Sequence, residues 1–219
     1  MQKLVGLINT TAILVEPMKK LFKEMLPNVR ILNFVDEGIL EITGKVGRVN
    51  EQVVRRICYL ATMAEEVNAD LVMSTCSATV AAVDVAQRLV KIPFLKISQP
   101  MFERAVEKGR RIGLLATDHA TVEPSSNLLQ EVARKMGKEI TVTTVLNKEA
   151  FSARLSGDVE RHDELVSSSI TELSKKVDVI VLAQASMADL APKVQKTIDV
   201  PILTSPRLAI EKIKGMLNL

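Results

Sequence analysis

Three side chains in this sequence have types and settings suited to moving protons or holding an oxyanion: Cys76, Gln184 and His119. Cys76 follows an apolar, strand-like run and precedes a predicted helix. Aligned peptide dipoles favour negative charge at a helix start, so a thiol there is poised to ionise. A thiolate abstracts a proton or attacks carbon. The competing reading is a small buried residue that closes a strand, since cysteine is among the most buried types. Gln184 cannot take or deliver a proton near neutral pH, but its carboxamide can donate hydrogen bonds to a carboxylate or a developing enolate. Its competing role is to satisfy loop backbone groups. His119 has the side chain whose ordinary pKa suits acid or base work near neutrality, against the alternative of a solvated loop histidine.

The segments around Cys76 and Gln184 are copies of one another. Asp70–Pro93 aligns without a gap on Asp178–Pro201, at a constant offset (178 − 70 = 201 − 93 = 108) that sets Cys76 opposite Gln184. The run Val5-Gly6-Leu7-Ile8-Asn9-Thr10 recurs as Ile112-Gly113-Leu114-Leu115-Ala116-Thr117. A repeat of about a hundred residues is the size of a small domain, and two copies are too few for a solenoid. The chain therefore reads as two related α/β lobes facing each other across a cleft.

The elements support that reading. Apolar β-rich runs lie at Lys3–Ile8, Val29–Phe34, Asp70–Met73, Phe94–Ile97, Ile112–Leu115, Ile140–Val145, Asp178–Leu182 and Ile202–Thr204. Helical patterns fall between them, near Glu16–Met25, Glu51–Val67, Thr79–Leu89, Met101–Lys108, Ser125–Lys135, Val159–Lys176, Met187–Thr197 and Pro206–Leu217. Such alternation predicts parallel sheets covered by crossover helices. Ligands then sit beyond the carboxyl ends of the strands. The loops at those ends hold Asn9, Thr10 and Thr11; Cys76, Ser77, Ala78 and Thr79; Thr117 through Thr121; and Gln184, Ala185 and Ser186. Hydroxyls and backbone amides at helix starts suit a small carboxylate.

Composition removes several alternatives. With 219 residues, 47% hydrophobic and 25% charged, the chain is of globular type. Its net charge of +3 is interleaved with acidic residues, as at Glu16 and Lys20, and only six aromatics are available for base stacking (five Phe and one Tyr). A nucleic-acid partner is therefore not expected. No apolar stretch reaches the roughly 18 residues of a membrane span. The first residues lack the pattern of a signal peptide, so a cytoplasmic location and reduced thiols are expected. Cys58 falls on the apolar stripe Val54, Ile57, Ala61 and Ala64 and reads as core. His162, among Glu160, Arg161, Asp163 and Glu164, reads as surface. The two histidines and two cysteines show no zinc spacing. The nearest approach to a phosphate loop, Gly38 to Gly44-Lys45, has the wrong spacing and ends in Val46. No glycine-rich dinucleotide fingerprint follows the first strand.

On the early loop Gly6 to Thr11, the turn Ser74-Thr75-Cys76-Ser77-Ala78-Thr79, the segment Gly113 to Thr117 with Thr121, and Leu182-Ala183-Gln184-Ala185-Ser186-Met187-Ala188, the chain resembles the aspartate/glutamate racemase superfamily. That group includes hydantoin racemases, maleate isomerases and arylmalonate decarboxylases. The resemblance implies two flavodoxin-like lobes, residues 1–98 with 206–219 and residues 99–205, with the site in the cleft between them. It implies cofactor-free chemistry on a small amino or dicarboxylic acid, and a homodimer. Family racemases set one cysteine from each lobe on opposite faces of the α-carbon. The resemblance makes Cys76 one acid/base and makes Ser77, Thr117 and Thr121, with the amides around Ala78, carboxylate binders. The second family cysteine is here Gln184. Three accounts remain: Cys76 works alone, in decarboxylation or cis–trans isomerisation; another group such as His119 replaces the missing base; or the fold binds a small acid without turnover.

Overall fold

The computed structural model describes residues 2–219, which form two compact units, one of residues up to Ile97 together with Pro206–Leu219 and one of Ser98–Ser205. In the first lobe the strands are β1 (Leu4–Asn9), β2 (Arg30–Val35), β3 (Leu71–Ser74) and β4 (Phe94–Lys96). All pair in parallel, in the order β2-β1-β3-β4. The helices before and between them are α1 (Val15–Met25), α2 (Glu37–Val46), α3 (Glu51–Glu66) and α4 (Val80–Ala86). The second lobe begins with α5 (Gln99–Lys108) and continues through β5 (Arg111–Ala116), α6 (His119–Lys135), β6 (Thr141–Leu146), α7 (Lys148–Leu155), α8 (Val159–Ser174), β7 (Val179–Leu182), α9 (Ala191–Val194) and β8 (Ile202–Thr204). Its parallel order, β6-β5-β7-β8, copies the first. A last helix, α10 (Ser205–Met216), runs into the first lobe, where Arg207 pairs with Glu24 of α1 at 2.7 Å.

The central strands β1, β3, β5 and β7 are apolar because both of their faces are covered by helices. In the first lobe Ile8 and Val72 pack with Val53, Ile57, Ala61 and Ala64 of α3. In the second, Leu115, Ile180 and Leu182 pack with Val166, Ile170 and Leu173 of α8. The repeated glycines of β1 and β5 permit this close approach. A Cβ on Gly6 would stand 2.8 Å from Val72 Cγ2 and 3.0 Å from Ala64 Cβ, and one on Gly113 would stand 2.6 Å from Leu173 Cδ2.

The repeated polar residues are anchors. Asp70 takes the Leu4 amide at 2.8 Å and the Lys3 ammonium at 2.7 Å. Asp178 takes the Arg111 amide at 2.8 Å and the Arg111 guanidinium at 2.6 and 2.9 Å. Each carboxylate thus fixes the start of the neighbouring central strand. Gln87 receives the Phe94 amide at 2.6 Å and its counterpart Gln195 receives the Ile202 amide at 2.8 Å, so each sets the entry of an edge strand.

All eight predicted strands form, within a residue of their expected bounds. Helices α2 and α7 were not expected. The stretch Gly38–Lys45, considered above as a phosphate-loop candidate, is the body of α2, started by Asp36, whose side chain accepts from the Gly38 amide at 3.1 Å. Helix α7 lacks an apolar stripe and is fixed at its start by Asn147, which accepts from the Ala150 amide at 2.9 Å. The expected helix at Ser125 begins six residues earlier, because an Asp118 cap secures its first turn and Pro124 is carried inside it. His162 is a correction: it is 2% exposed, with Nδ1 2.9 Å from Asp163 Oδ1. It shares one face of α8 with Val166, Ile170 and Leu173, while the flanking charges that suggested a surface position point elsewhere.

Candidate functional site

The candidate residues of the first lobe gather at the carboxyl ends of β1 and β3. Asn9, the last residue of β1, is fully buried. Its amide group donates to Leu7 O at 3.2 Å and to Asn33 Oδ1 at 3.0 Å, and its Oδ1 accepts from Thr75 Oγ1 at 2.9 Å. Thr75 also reaches Ile8 O at 3.2 Å, and its amide bonds the same carbonyl at 3.0 Å. Asn9 therefore ties the two strand ends together, and both hydrogens of its side-chain amide are committed, leaving no side-chain donor for an anion. Beyond it, Thr10 is buried and Thr11 accepts from the Ile13 amide at 3.4 Å, starting a short turn over Ala12–Leu14.

Cys76 lies two residues past β3 in extended conformation (φ −108°, ψ 117°), at the head of a 3-10 turn over Ser77–Thr79 that runs straight into α4. A chain of hydroxyls holds it. Thr79 Oγ1 donates to Cys76 O at 2.9 Å, and this commits its one proton, so Ser74 Oγ must donate to Thr79 Oγ1 at 2.9 Å. Ser74 Oγ in turn accepts from the Cys76 amide at 3.4 Å. Cys76 is half-buried, whereas Ser77, Ala78 and Thr79 are buried. The position offers a thiol at the start of a helical run whose leading amides, those of Ser77 and Ala78, donate to no strand or turn partner among the described residues.

The second lobe has the same backbone with different side chains. Gln184 is extended (φ −124°, ψ 133°) and heads a 3-10 turn over Ala185–Met187. Its Oε1 accepts from the Thr117 amide at 2.7 Å, from Thr117 Oγ1 at 3.2 Å and, at 3.5 Å, from the Asp118 amide. Its Nε2 donates to Thr117 Oγ1 at 3.0 Å. The carboxamide thus joins the loop after β7 to the loop after β5. Thr117 and Thr121 are buried, Ala185 is half-buried and Ser186 is exposed. His119, expected in a loop, is the first residue of α6 and is exposed; Asp118 before it accepts from the Ala120 amide at 3.0 Å and so caps that helix.

Neither cysteine forms a disulfide. Cys58 packs partly buried against the first core, and burial pushes its thiol pKa up. Among the described residues no group of three or more His, Cys, Asp or Glu side chains is placed to hold a metal ion. Among the described residues no helix is long and apolar enough to cross a membrane.

The contacts that sequence reasoning missed are those of Ser74, Thr75 and Asn33 in the first lobe and the Gln184 link to Thr117 in the second. The pairing of hydroxyl-bearing residues around Cys76 was a signal for the former. The latter joins residues 67 apart and leaves no local trace.

Two parallel four-stranded sheets of order 2-1-3-4, with loops rich in hydroxyls and amides at their carboxyl ends, define a duplicated α/β protein. The chain belongs to the Asp/Glu/hydantoin racemase family, whose model matches residues 5–213. Its fold is that of solved family structures. A candidate Asp/Glu racemase from Yersinia pestis has a TM-score of 0.80 at 16% identity, covering 99% of this chain and 100% of that one. Glutamate racemase from Francisella tularensis, solved with D-glutamate, has a TM-score of 0.74 at 18% identity over 99% of this chain and 81% of that one. Aspartate racemase from Picrophilus torridus has a TM-score of 0.70 at 21% identity, over 97% and 94%. No curated protein sequence matches the chain.

Proposed function

We propose that this protein is a cofactor-independent enzyme of the racemase/isomerase type, acting on the carbon next to the carboxylate of a small acid, with Cys76 as acid/base or nucleophile. The observation that carries this reading is the setting of Cys76: a half-buried thiol beyond the end of a central strand, at the head of a helical run, on a turn fixed by Ser74 and Thr79. Family membership supplies the reaction class.

In the proposed step the Cys76 thiolate takes the α-proton and becomes a thiol, and the electron pair of the broken C–H bond passes into the carboxylate as an enolate. The anion is held by amide and hydroxyl donors of the strand-end loops, for which Thr10, Ser77 and Ala78 are the first-lobe candidates. Return of the proton regenerates the thiolate. Gln184 has no proton to give near neutral pH, so the proton goes back through Cys76 to the face it left, unless a second base intervenes.

One-sided chemistry is therefore the second reading, favoured by the hydrogen bonds of Gln184 to Thr117. Decarboxylation followed by protonation, or nucleophilic cis–trans isomerisation, needs only one thiol. The location in a reducing cytoplasm and a homodimeric state are part of the same proposal.

The test is proton NMR in D2O, following loss of the α-hydrogen across a panel of amino and small carboxylic acids, with wild type beside Cys76→Ala. Exchange by wild type alone supports the reading and identifies the substrate. Exchange that survives in Cys76→Ala overturns the role of the thiol, and no reaction of any panel member, decarboxylation and isomerisation included, favours binding without turnover.

A further inference from the structure

Lys96, the last residue of β4, is the only lysine or arginine buried among the described residues, with 9% of its side chain exposed. Its ammonium stands 2.6 Å from Oδ1 of Asp84 on α4. Strands β3 and β4 pair in parallel with Ser74 beside Lys96, so the two side chains leave the sheet on the same face. Helix α4 covers that face: Ser74 Oγ meets Thr79 Oγ1 just ahead of the helix, and Lys96 reaches Asp84 further along it. Ser74 Oγ is also the acceptor for the Cys76 amide. The buried cation thus stands on the strand next to the one that leads into the thiol, and on the side where the turn is held.

The second lobe repeats this register without the polar set. Leu182 of β7 stands beside Thr204 of β8 as Ser74 stands beside Lys96. At the common offset (182 − 74 = 204 − 96 = 108), Ser74, Thr79, Asp84 and Lys96 correspond to Leu182, Met187, Pro192 and Thr204. The same sheet forms there, so its architecture does not demand the ion pair. Cation and counter-ion accompany the thiol and are missing from the copy that has the carboxamide.

Across β3, the turn to Thr79, α4 and β4, the titratable side chains are Cys76, Asp84 and Lys96 alone. Strand β1, beside β3, has none, and Arg88 and Lys91 in the loop from α4 to β4 are exposed. Helix α3 turns Val53, Ile57, Ala61 and Ala64 toward Ala82, Val83 and Ala86 of α4; burial keeps its Cys58 protonated, and its Glu65 receives the Lys91 amide. Asp84 is 55% exposed, so water screens its charge, whereas the ammonium is shielded. The pair therefore acts on the turn as a net positive charge, which favours an anion there.

We infer that Lys96 is a positioning residue for the proposed acid/base: held beneath α4 by Asp84, its ammonium stabilises the ionised form of Cys76. This rests on the proposed reaction for the use made of the thiolate, but its test reads ionisation and needs no turnover.

The test is the pH dependence of alkylation by iodoacetamide, a neutral probe, in the full-length protein carrying Cys58→Ala, with peptide mass spectrometry reading modification at Cys76. Lys96→Met keeps an unbranched chain without the charge and should raise the midpoint of the rate profile by about half a pH unit or more. Asp84→Asn removes the counter-ion and should lower the midpoint. Lys96→Arg restores the charge and should return the midpoint toward that of the starting protein. A pair that only braces α4 would move Lys96→Met and Asp84→Asn in one direction, or move neither, and either result overturns the inference. So does a Cys76 that iodoacetamide leaves unmodified in every variant. Where Lys96→Met fails to fold, a midpoint that Asp84→Asn does not lower is sufficient to overturn it. Failure of the proposed reaction is read separately, in the D2O exchange experiment, and leaves these midpoints to be judged as they stand.

Discussion

In the first lobe β3 is followed by Thr75 and Cys76, and a buried network of Asn9, Asn33, Ser74, Thr75 and Thr79 holds the turn. In the second, β7 is followed by Ala183 and Gln184, Asn9 is matched by Ala116, and the loops are joined by the Gln184 side chain instead. The backbone torsions at Cys76 and Gln184 differ by less than 20°. The scaffold is thus shared while the side chain at this position is not. Positions that the two copies keep alike, Gly6 and Gly113, Asp70 and Asp178, Gln87 and Gln195, all hold architecture. The position where thiol and carboxamide correspond is where the two copies carry different side chains on the same backbone.

The sharpest way to break this comparison is to remove the thiol proposed as acid/base. Cys76→Ala is expected to lower turnover by about 10²–10⁴-fold, the usual worth of a positioned acid/base group, while Cys58→Ala leaves it intact. The same pair separates in an alkylation assay, because burial holds the Cys58 thiol above its ordinary pKa and slows its modification.

The next largest effect should come from making the lobes alike. Gln184→Cys supplies a second thiol, and the fraction of exchange events that invert the α-carbon should rise by about a hundredfold. Chiral chromatography of the product beside its deuterium content measures this. Unchanged inversion would show that Gln184 does not stand at a proton-transfer position.

Scaffold changes should cost stability in both lobes. Asn9→Ala strands Asn33 and Thr75 in a buried setting and should cost about 1–3 kcal/mol in urea unfolding. Gly6→Ala should cost about 1–3 kcal/mol as well, and more than Gly113→Ala. The reason is that the new methyl of Gly6→Ala meets both Val72 and the Cβ of Ala64, which are stiff, whereas that of Gly113→Ala meets a single leucine side chain, Leu173, which can change rotamer.

The smallest effect is electrostatic. The hydrogen bond from the Arg111 guanidinium, followed by that from the Arg111 amide, lowers the Asp178 carboxyl from 3.8 to about 2. A folded-state pKa below the unfolded one contributes stability that is fully present above about pH 4 and is lost as the pH falls through about 2. The difference in unfolding midpoint between wild type and Asp178→Asn should therefore be steady at neutral pH and close across that interval. At Asp70 burial opposes the shift, which the Lys3 ammonium and Leu4 amide still carry downward, so Asp70→Asn should show the same trend.

Most of this architecture was legible in the sequence. Apolar runs of four to six residues, repeated with their flanking aspartate and proline, were enough to place all eight strands, because central strands covered on both faces leave little room for polar residues. Helix α7 escaped because a capping residue rather than apolar periodicity starts it, and α2 because it carries Gly38 and Gly44, poor helix formers. His162 escaped because its charged neighbours masked its place on the buried stripe of α8. At the site, Cys76 and its hydroxyl-rich turn were visible as a local motif. The engagement of Gln184 with Thr117 was not, since it depends on two loops that only the pairing of β5 with β7 brings side by side.

The boundaries of the lobes do not coincide with those of the repeat. Helix α5 ends the first copy in sequence yet belongs to the second lobe, where it packs on α6, β7 and β8, and α10 ends the second copy yet belongs to the first. Each copy has exchanged its last helix for the other's. During synthesis the second lobe leaves the ribosome as one unbroken stretch, whereas the lobe that carries Cys76 stays incomplete until residues 206–219 have emerged. Clipping ahead of residues 206–219 is thus damage to the lobe that carries Cys76.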